Sequence, residues 1–406
     1  MNRILLFSCL LSLFLLAPCS LRAQKKDIAQ AKEWIKKKQN LDKAQQSMEA
    51  LLKDSSNRTN EKIYLVLFDA VKGQYEQGNE QLYLKQKCDT AQLFNNALRM
   101  FQVLEALDSL DAMPDSKGRV KPKYRTDHAR YLGPLRPNLY NGGLFFIRKQ
   151  KYADAYRFLE AYIDCARQPL FSQLHYDDKD PRLATASYWA VYCGYKMKDT
   201  KATLRHTYLA LKDTAHYCLM LQYLADTYKM EKDTVRYVQT LQEGFGKYPE
   251  FPYFFPRLLS HYSQGRMWDK AQALTDTAMS INPKNNVFVF ARSTVLLNTG
   301  QYEESLALCD TLFSRGDSLP DIYLNAGLAW FNQGVELDKN VATSRKLRSK
   351  IISCYKSALP YLEAYRKKRP EAESDWTLPL YTIYLNLNMG KEFDEIDQIL
   401  RRQNKK

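Results

Sequence analysis

Glycine and proline are both scarce, with fifteen of each among 406 residues. All-β architectures, dense in turns, need more of both, and that class is excluded. Histidine is scarcer still: His128, His175, His206, His216 and His261 stand far apart in no ligand pattern. No HExxH, GxSxG, Walker-type or GxGxxG signature occurs. Eight cysteines are scattered singly, without a CxxC pair or metal spacing. His175 with Asp177, Asp178 and Asp180 is the nearest approach to a cation loop. It lacks the glycine and distal glutamate of a calcium hand and reads as a solvated acidic loop. The expectation is therefore a protein without catalytic residues, cofactor or metal.

What the chain does have is helix. At 45% hydrophobic it can fill a core. Long stretches carry apolar residues at helical spacing, as in Ile63, Leu67, Val71 and Tyr75, then Phe94, Leu98, Phe101, Leu104 and Leu107. The first 23 residues stand apart: a positive start at Arg3, an apolar run from Ile4 to Ala17, then a polar close. That layout is a secretory signal peptide cleaved near Ala23, leaving Gln24 first and no transmembrane segment in the mature chain. A rival reading lipidates Cys19, although Pro18 fits a lipobox poorly.

Export sets the meaning of charge and thiols. Losing Arg3 and Arg22 takes the formal charge from +15 to +13. A basic exported chain meets anionic surfaces, glycans or acidic proteins rather than nucleic acid. Cys88, Cys165, Cys193, Cys218, Cys309 and Cys354 remain after cleavage, and their isolation in helical stretches suggests packed thiols rather than bridges.

A period of 34 runs through the middle of the chain. Ala225, Leu259, Ser293 and Gly327 fall in register, as do Tyr228, Tyr262, Leu296 and Trp330, and Pro249 with Pro283. One unit reads Leu221, Leu224, Ala225, Tyr228, then Tyr237, Leu241, Pro249. An earlier one reads Leu139, Gly142, Gly143, Phe146, then Ala155 and Leu159; a later one Tyr323, Ala326, Gly327, Trp330, then Ala358, Leu362, Pro370. Departures are visible: the unit of Ser187, Ala190, Val191 and Gly194 has lost its aromatic, and Arg292 replaces an apolar residue. Roughly 19 extra residues, about Val335 to Lys350, separate the helices of the Gly327 unit and are expected to lengthen one or both of them.

These units resemble the tetratricopeptide repeat (TPR) of exported bacterial proteins, in which small residues let paired helices approach and proline ends the second helix. The resemblance implies an all-α fold, a right-handed superhelical solenoid of about nine hairpins. It divides the chain into a signal peptide (1–23), atypical N-terminal hairpins with a basic loop (24–137), the array (138–370) and a C-terminal capping hairpin (371–406). It also implies a concave groove lined by first helices. The inward candidates are Tyr140, Asn141, Arg148, Tyr188, Tyr192, Lys196, Gln222, Asp226, Lys229, Arg257, Asn298 and Asn325, with Ser260, Gln264 and Thr294 beside them. Tyrosine among mixed polar groups suits a protein or peptide, or alternatively a glycan of an outer-membrane uptake system.

Two segments interrupt the array. The stretch from Pro114 to Pro137 carries Lys117, Arg119, Lys121, Lys123, Arg125, Arg130 and Arg136, and reads as a surface loop for an anionic contact. The second runs from Gln168 to Pro181. Together these features predict a periplasmic or outer-membrane-associated scaffold that binds partners and catalyses nothing.

Overall fold

The computed structural model describes residues 24–339 and 345–403; residues 1–23, on which the expectation of a signal peptide falls, and the centre of the long insertion lie outside them. Among the described residues every regular element is helical. Helix α1 covers 24–36. It is followed by α2 (Leu41–Lys53), α3 (Glu61–Tyr83), α4 (Thr90–Asp111), α5 (Arg125–Leu132), α6 (Pro137–Arg148) and α7 (Tyr152–Asp164). Next come α8 (Tyr176–Lys179), α9 (Leu183–Met197), α10 (Thr200–Arg205), α11 (Thr207–Ala210), α12 (Tyr217–Met230) and α13 (Thr234–Lys247). The chain continues through α14 (Phe254–Gln264), α15 (Trp268–Ile281), α16 (Asn286–Asn298), α17 (Tyr302–Ser314), α18 (Pro320–Lys339), α19 (Arg345–Lys368), α20 (Glu373–Asn386) and α21 (Gly390–Gln403). In chain order, the described residues make nine helix–turn–helix pairs: α1–α2, α3–α4, α6–α7, α9 with α10 and α11, α12–α13, α14–α15, α16–α17, α18–α19 and α20–α21. Helices α5 and α8 are inserts between pairs.

Two compact units divide inside α13, after Thr240. In the first, successive helices pack in series: α2 on α3, α3 on α4, α4 on α6, α6 on α7, α7 on α9, and α9 on α12. The apolar registers predicted for α3 and α4 form its core, with Ile63, Leu67, Val71, Leu98, Phe101, Leu104 and Leu107 all buried. In the second unit, α14 to α21 pack in the same serial way, and first helices also touch first helices, α16 on α18 and α18 on α20.

The small residues of the repeat sit where helices meet. A Cβ on Gly143 would lie 2.6 Å from Leu159 Cγ, and one on Gly327 would lie 2.7 Å from Leu362 Cγ. Three second helices stop just short of a proline: α13 before Pro249, α15 before Pro283, α19 before Pro370. The long insertion extends both of its helices, α18 and α19. Arg292, out of pattern in sequence, is accommodated because its guanidinium reaches Asp276 at 2.8 Å. Cys165, Cys193, Cys309 and Cys354 are buried free thiols, while Cys88 and Cys218 are half-buried.

Every first helix whose end is described closes alike. Just past each helix one residue adopts a left-handed backbone, the usual glycine cap, and the amide of the next residue bonds back to a carbonyl five residues earlier. The capping residues are Lys38, Lys85, Gln150, Lys198, Lys232, Arg266, Gly300 and Asn388. Among the described residues no helix is long and apolar enough to cross a membrane.

Candidate interaction cleft

Helices α9 and α12 are first helices of successive hairpins, joined by a run of rings. Tyr188 stacks on His216 at 4.0 Å and approaches Tyr223 at 6.3 Å, and Tyr195 stacks on Tyr223 at 4.4 Å. Tyr192 meets Trp189 at 5.6 Å, Tyr223 at 6.0 Å and Tyr152 at 5.9 Å. Burial, then the neighbouring Tyr152, pushes the Tyr192 hydroxyl up to about 12, and it stays neutral. At the C-terminal ends of both helices the rings give way to charge. Tyr195 donates to Asp226 at 2.9 Å. Around that pair lies an open cleft of ≈ 490 Å³ lined by Tyr195, Lys196, Lys198, Asp226, Lys229 and Met230.

Local sequence explains this arrangement. Gly194 leaves α10 room to come in, since a Cβ there would sit 2.5 Å from the Thr203 backbone nitrogen. Asp199 then caps α10 by accepting from the Ala202 amide. The α9 turn is therefore tight, and Lys198 is held at the rim. The cleft brings together one tyrosine ring, backed by Tyr223, with three ammonium groups, one carboxylate and a thioether.

Of the residues predicted to line a groove, Lys196, Asp226 and Lys229 come together here. Tyr195, Lys198 and Met230 were missed, though each is close in sequence to a residue that was named. Tyr188 is corrected: it is 3% exposed, because His216 and Tyr223 cover its ring. Asn325 is corrected likewise; it is 5% exposed and donates to the hydroxyls of Ser293 and Thr294. Tyr140 is half-buried against Tyr162, and Gln222 is half-buried. Asn141 and Arg148 are exposed. In the second unit Arg257 is exposed over the Tyr253 ring at 3.8 Å, Gln264 bonds Ser260, and exposed Asn298 bonds the Thr294 carbonyl.

The basic segment differs more sharply from expectation. Lys117, Arg119 and Lys121 are exposed in irregular chain, with Arg119 bound to Asp115. Lys123 reaches Glu61 at 3.7 Å, and its amide, with that of Tyr124, donates to Asp111. Arg125 is not a loop residue: it opens α5 and makes a two-pronged bond to buried Asp108 at 2.8 and 2.9 Å. Its loss would destabilise the fold, so it cannot serve as a free contact. Arg136 is corrected most of all. It is 4% exposed, lies 3.8 and 3.9 Å from the ring centres of Tyr162 and Tyr176, donates to the Tyr162 carbonyl, and pairs with Asp180 at 2.7 Å. Asp180 is therefore not part of a solvated acidic loop; Asp177 and Asp178 remain exposed on α8.

The repeated hairpins, small crossing residues and terminal prolines define an all-α protein of TPR-like hairpins. No family model matches the chain, and no curated relative does. Among solved structures it is similar to pilF of Pseudomonas aeruginosa, at 16% identity and TM-score 0.32, over 61% of this chain and 100% of that one. It is also similar to the TPR domain of P58(IPK), at 10% identity and TM-score 0.26, over 94% and 99%. Scores this low add nothing on function, and the repeat assignment rests on the hairpins themselves.

Proposed function

We propose that the chain is an exported, non-catalytic scaffold of the cell envelope that holds a protein or peptide partner at the cleft between α9 and α12. The carrying observation is the cleft itself, where Lys196, Lys198 and Lys229 surround a tyrosine–aspartate pair whose tyrosine ring is stacked on Tyr223. Rigid rings limit the entropy lost on binding, and the ammonium groups select carboxylate-bearing segments. Envelope location is supported by the leader-like residues 1–23. A glycan is the weaker reading, because sugars stack on free ring faces and here Tyr188 and Tyr223 are buried against other rings.

The test is quantitative co-purification from envelope extract. Reversing Lys196→Glu and Lys229→Glu together is expected to remove the partner. Lys117→Glu with Lys121→Glu, on exposed irregular chain, is expected to keep it. Equal recovery with both double variants would contradict the assignment, and cleft-dependent retention on a glycan array would favour the sugar.

A further inference from the structure

The caps of the first helices carry a second message. A left-handed backbone costs a side-chain-bearing residue roughly 1–2 kcal/mol, which glycine avoids. Yet in the first compact unit the capping position is Lys38, Lys85, Lys198 and Lys232 in four of five hairpins, Gln150 being the fifth. Glycine would close these turns with less strain, so turn formation does not explain lysine there.

Contacts place these turns in a row. Gln77 on α3 donates to the Lys38 carbonyl, and Cys88 to that of Gly78. Phe94 at the start of α4 meets Phe145 at the end of α6, 5.5 Å apart. Lys196 lies over the Tyr152 ring at 5.7 Å, and Tyr195 bonds Asp226. Flanking residues deepen the charge: Lys36, Lys37 and Lys43; Lys87; Arg148, Lys149 and Lys151; Lys196 and Lys201, all exposed. In the first four turns twelve Lys and Arg stand with four Asp, and Glu33 on Lys37 and Glu76 and Glu80 beside Lys38 leave the row still strongly basic. Those four, Asp42, Asp89, Asp154 and Asp199, each sit at the start of a second helix, where a carboxylate serves the helix end. The edge also has an apolar tip. Helix α3 continues past its contact with Lys38 and ends at Leu82 and Tyr83, which with the following Leu84 are 52%, 85% and 54% exposed beside Lys85 and Lys87.

We infer that this lysine-capped edge of the first unit is a docking surface for an anionic lipid bilayer, with Leu82, Tyr83 and Leu84 entering the headgroup layer. A row of bases plus one short apolar insertion is the combination of two weak signals that gives stable peripheral attachment. A polyanion in solution would use the charge but has no use for three exposed apolar side chains at the tip. This surface is separate from the loop of Lys117, Arg119 and Lys121, which follows the other end of α4.

The test is co-sedimentation of the full chain with phosphatidylcholine vesicles, with and without about 30 mol % phosphatidylglycerol. Residues 1–23 are common to every arm, so differences between variants report the edge. Each surface lysine contributes about fivefold to partitioning. Lys87→Glu, Lys151→Glu and Lys201→Glu together are expected to lower binding to the anionic vesicles more than tenfold. Leu82→Ser with Leu84→Ser should weaken it as well, while Lys117→Glu with Lys121→Glu leaves it unchanged. Lys85→Gly with Lys198→Gly is the sharpest arm: the melting temperature is expected to hold or rise while partitioning falls. Unchanged partitioning of the edge variants overturns the inference. So does equal binding of the parent to neutral and anionic vesicles, or loss of heparin binding alone.

Discussion

Single residues carry most of the energetic detail. Gly143 and Gly327 are crossing points where a side chain would strike Leu159 or Leu362, both able to move. Gly143→Leu and Gly327→Leu should each cost roughly 1–3 kcal/mol by overpacking, read from urea melts. At Gly194 the obstacle is backbone, which cannot rotate aside, so even Gly194→Ala is expected to cost more than Gly143→Ala. Gly246, with nothing within 4 Å, is the control and should gain from alanine. Equal losses at 194 and 143 would contradict this packing. Glu105 makes a pH prediction. Burial, then the nearby Asp164, pushes its carboxyl up to about 7, and Oε1 has no hydrogen-bond partner among the described residues. The folded value lies above that of an unfolded glutamate, so the penalty is absent below about pH 4.3. It grows as pH rises to about 7 and is constant above. Glu105→Gln should match the parent at pH 4.5 and exceed it by roughly 1–3 kcal/mol at pH 8. A pH-independent difference would contradict the assignment.

Among elements, the insertion between α7 and α9 is held by one cation. Arg136, at the entrance of α6, reaches the Tyr162 carbonyl, both tyrosine rings and Asp180. Arg136→Ala leaves the Asp180 carboxylate buried without its partner, at a cost of roughly 3–5 kcal/mol. Arg136→Met with Asp180→Leu should recover much of that, because an apolar pair needs no desolvation. A double variant no better than the single one would show that the ring contacts, not the ion pair, hold the insertion. This element also marks where the sequence was hard to read. Apolar registers and prolines place helices well, because they depend on neighbours three or four residues away. Arg136 stands in a stretch rich in Pro and Gly that follows a run of basic residues, and its partner is 44 residues downstream, so only the folded chain reveals its burial. Tyr188 misled for a related reason. The short second helices α10 and α11 are followed by a turn that brings His216 over its ring, and no repeat register encodes that turn. Lys196, Asp226 and Lys229 were legible because they occupy the last turns of regular first helices.

For the whole molecule, two expectations concern export and partner choice. If residues 1–23 are a cleaved leader, the intact mass of the exported form should correspond to a chain beginning at Gln24 without lipid; a diacylated chain beginning at Cys19 would contradict it. The central claim is that the α9–α12 cleft holds a protein. It is tested most directly by placing a photoreactive residue at Met230, on the cleft, or at Met113, 61% exposed near the basic segment, and irradiating intact cells. The account predicts one discrete protein adduct at position 230, lost when Lys196→Glu and Lys229→Glu are added, and none of that mass at 113. The same adduct at both positions, or one at 230 that survives both charge reversals, would contradict it.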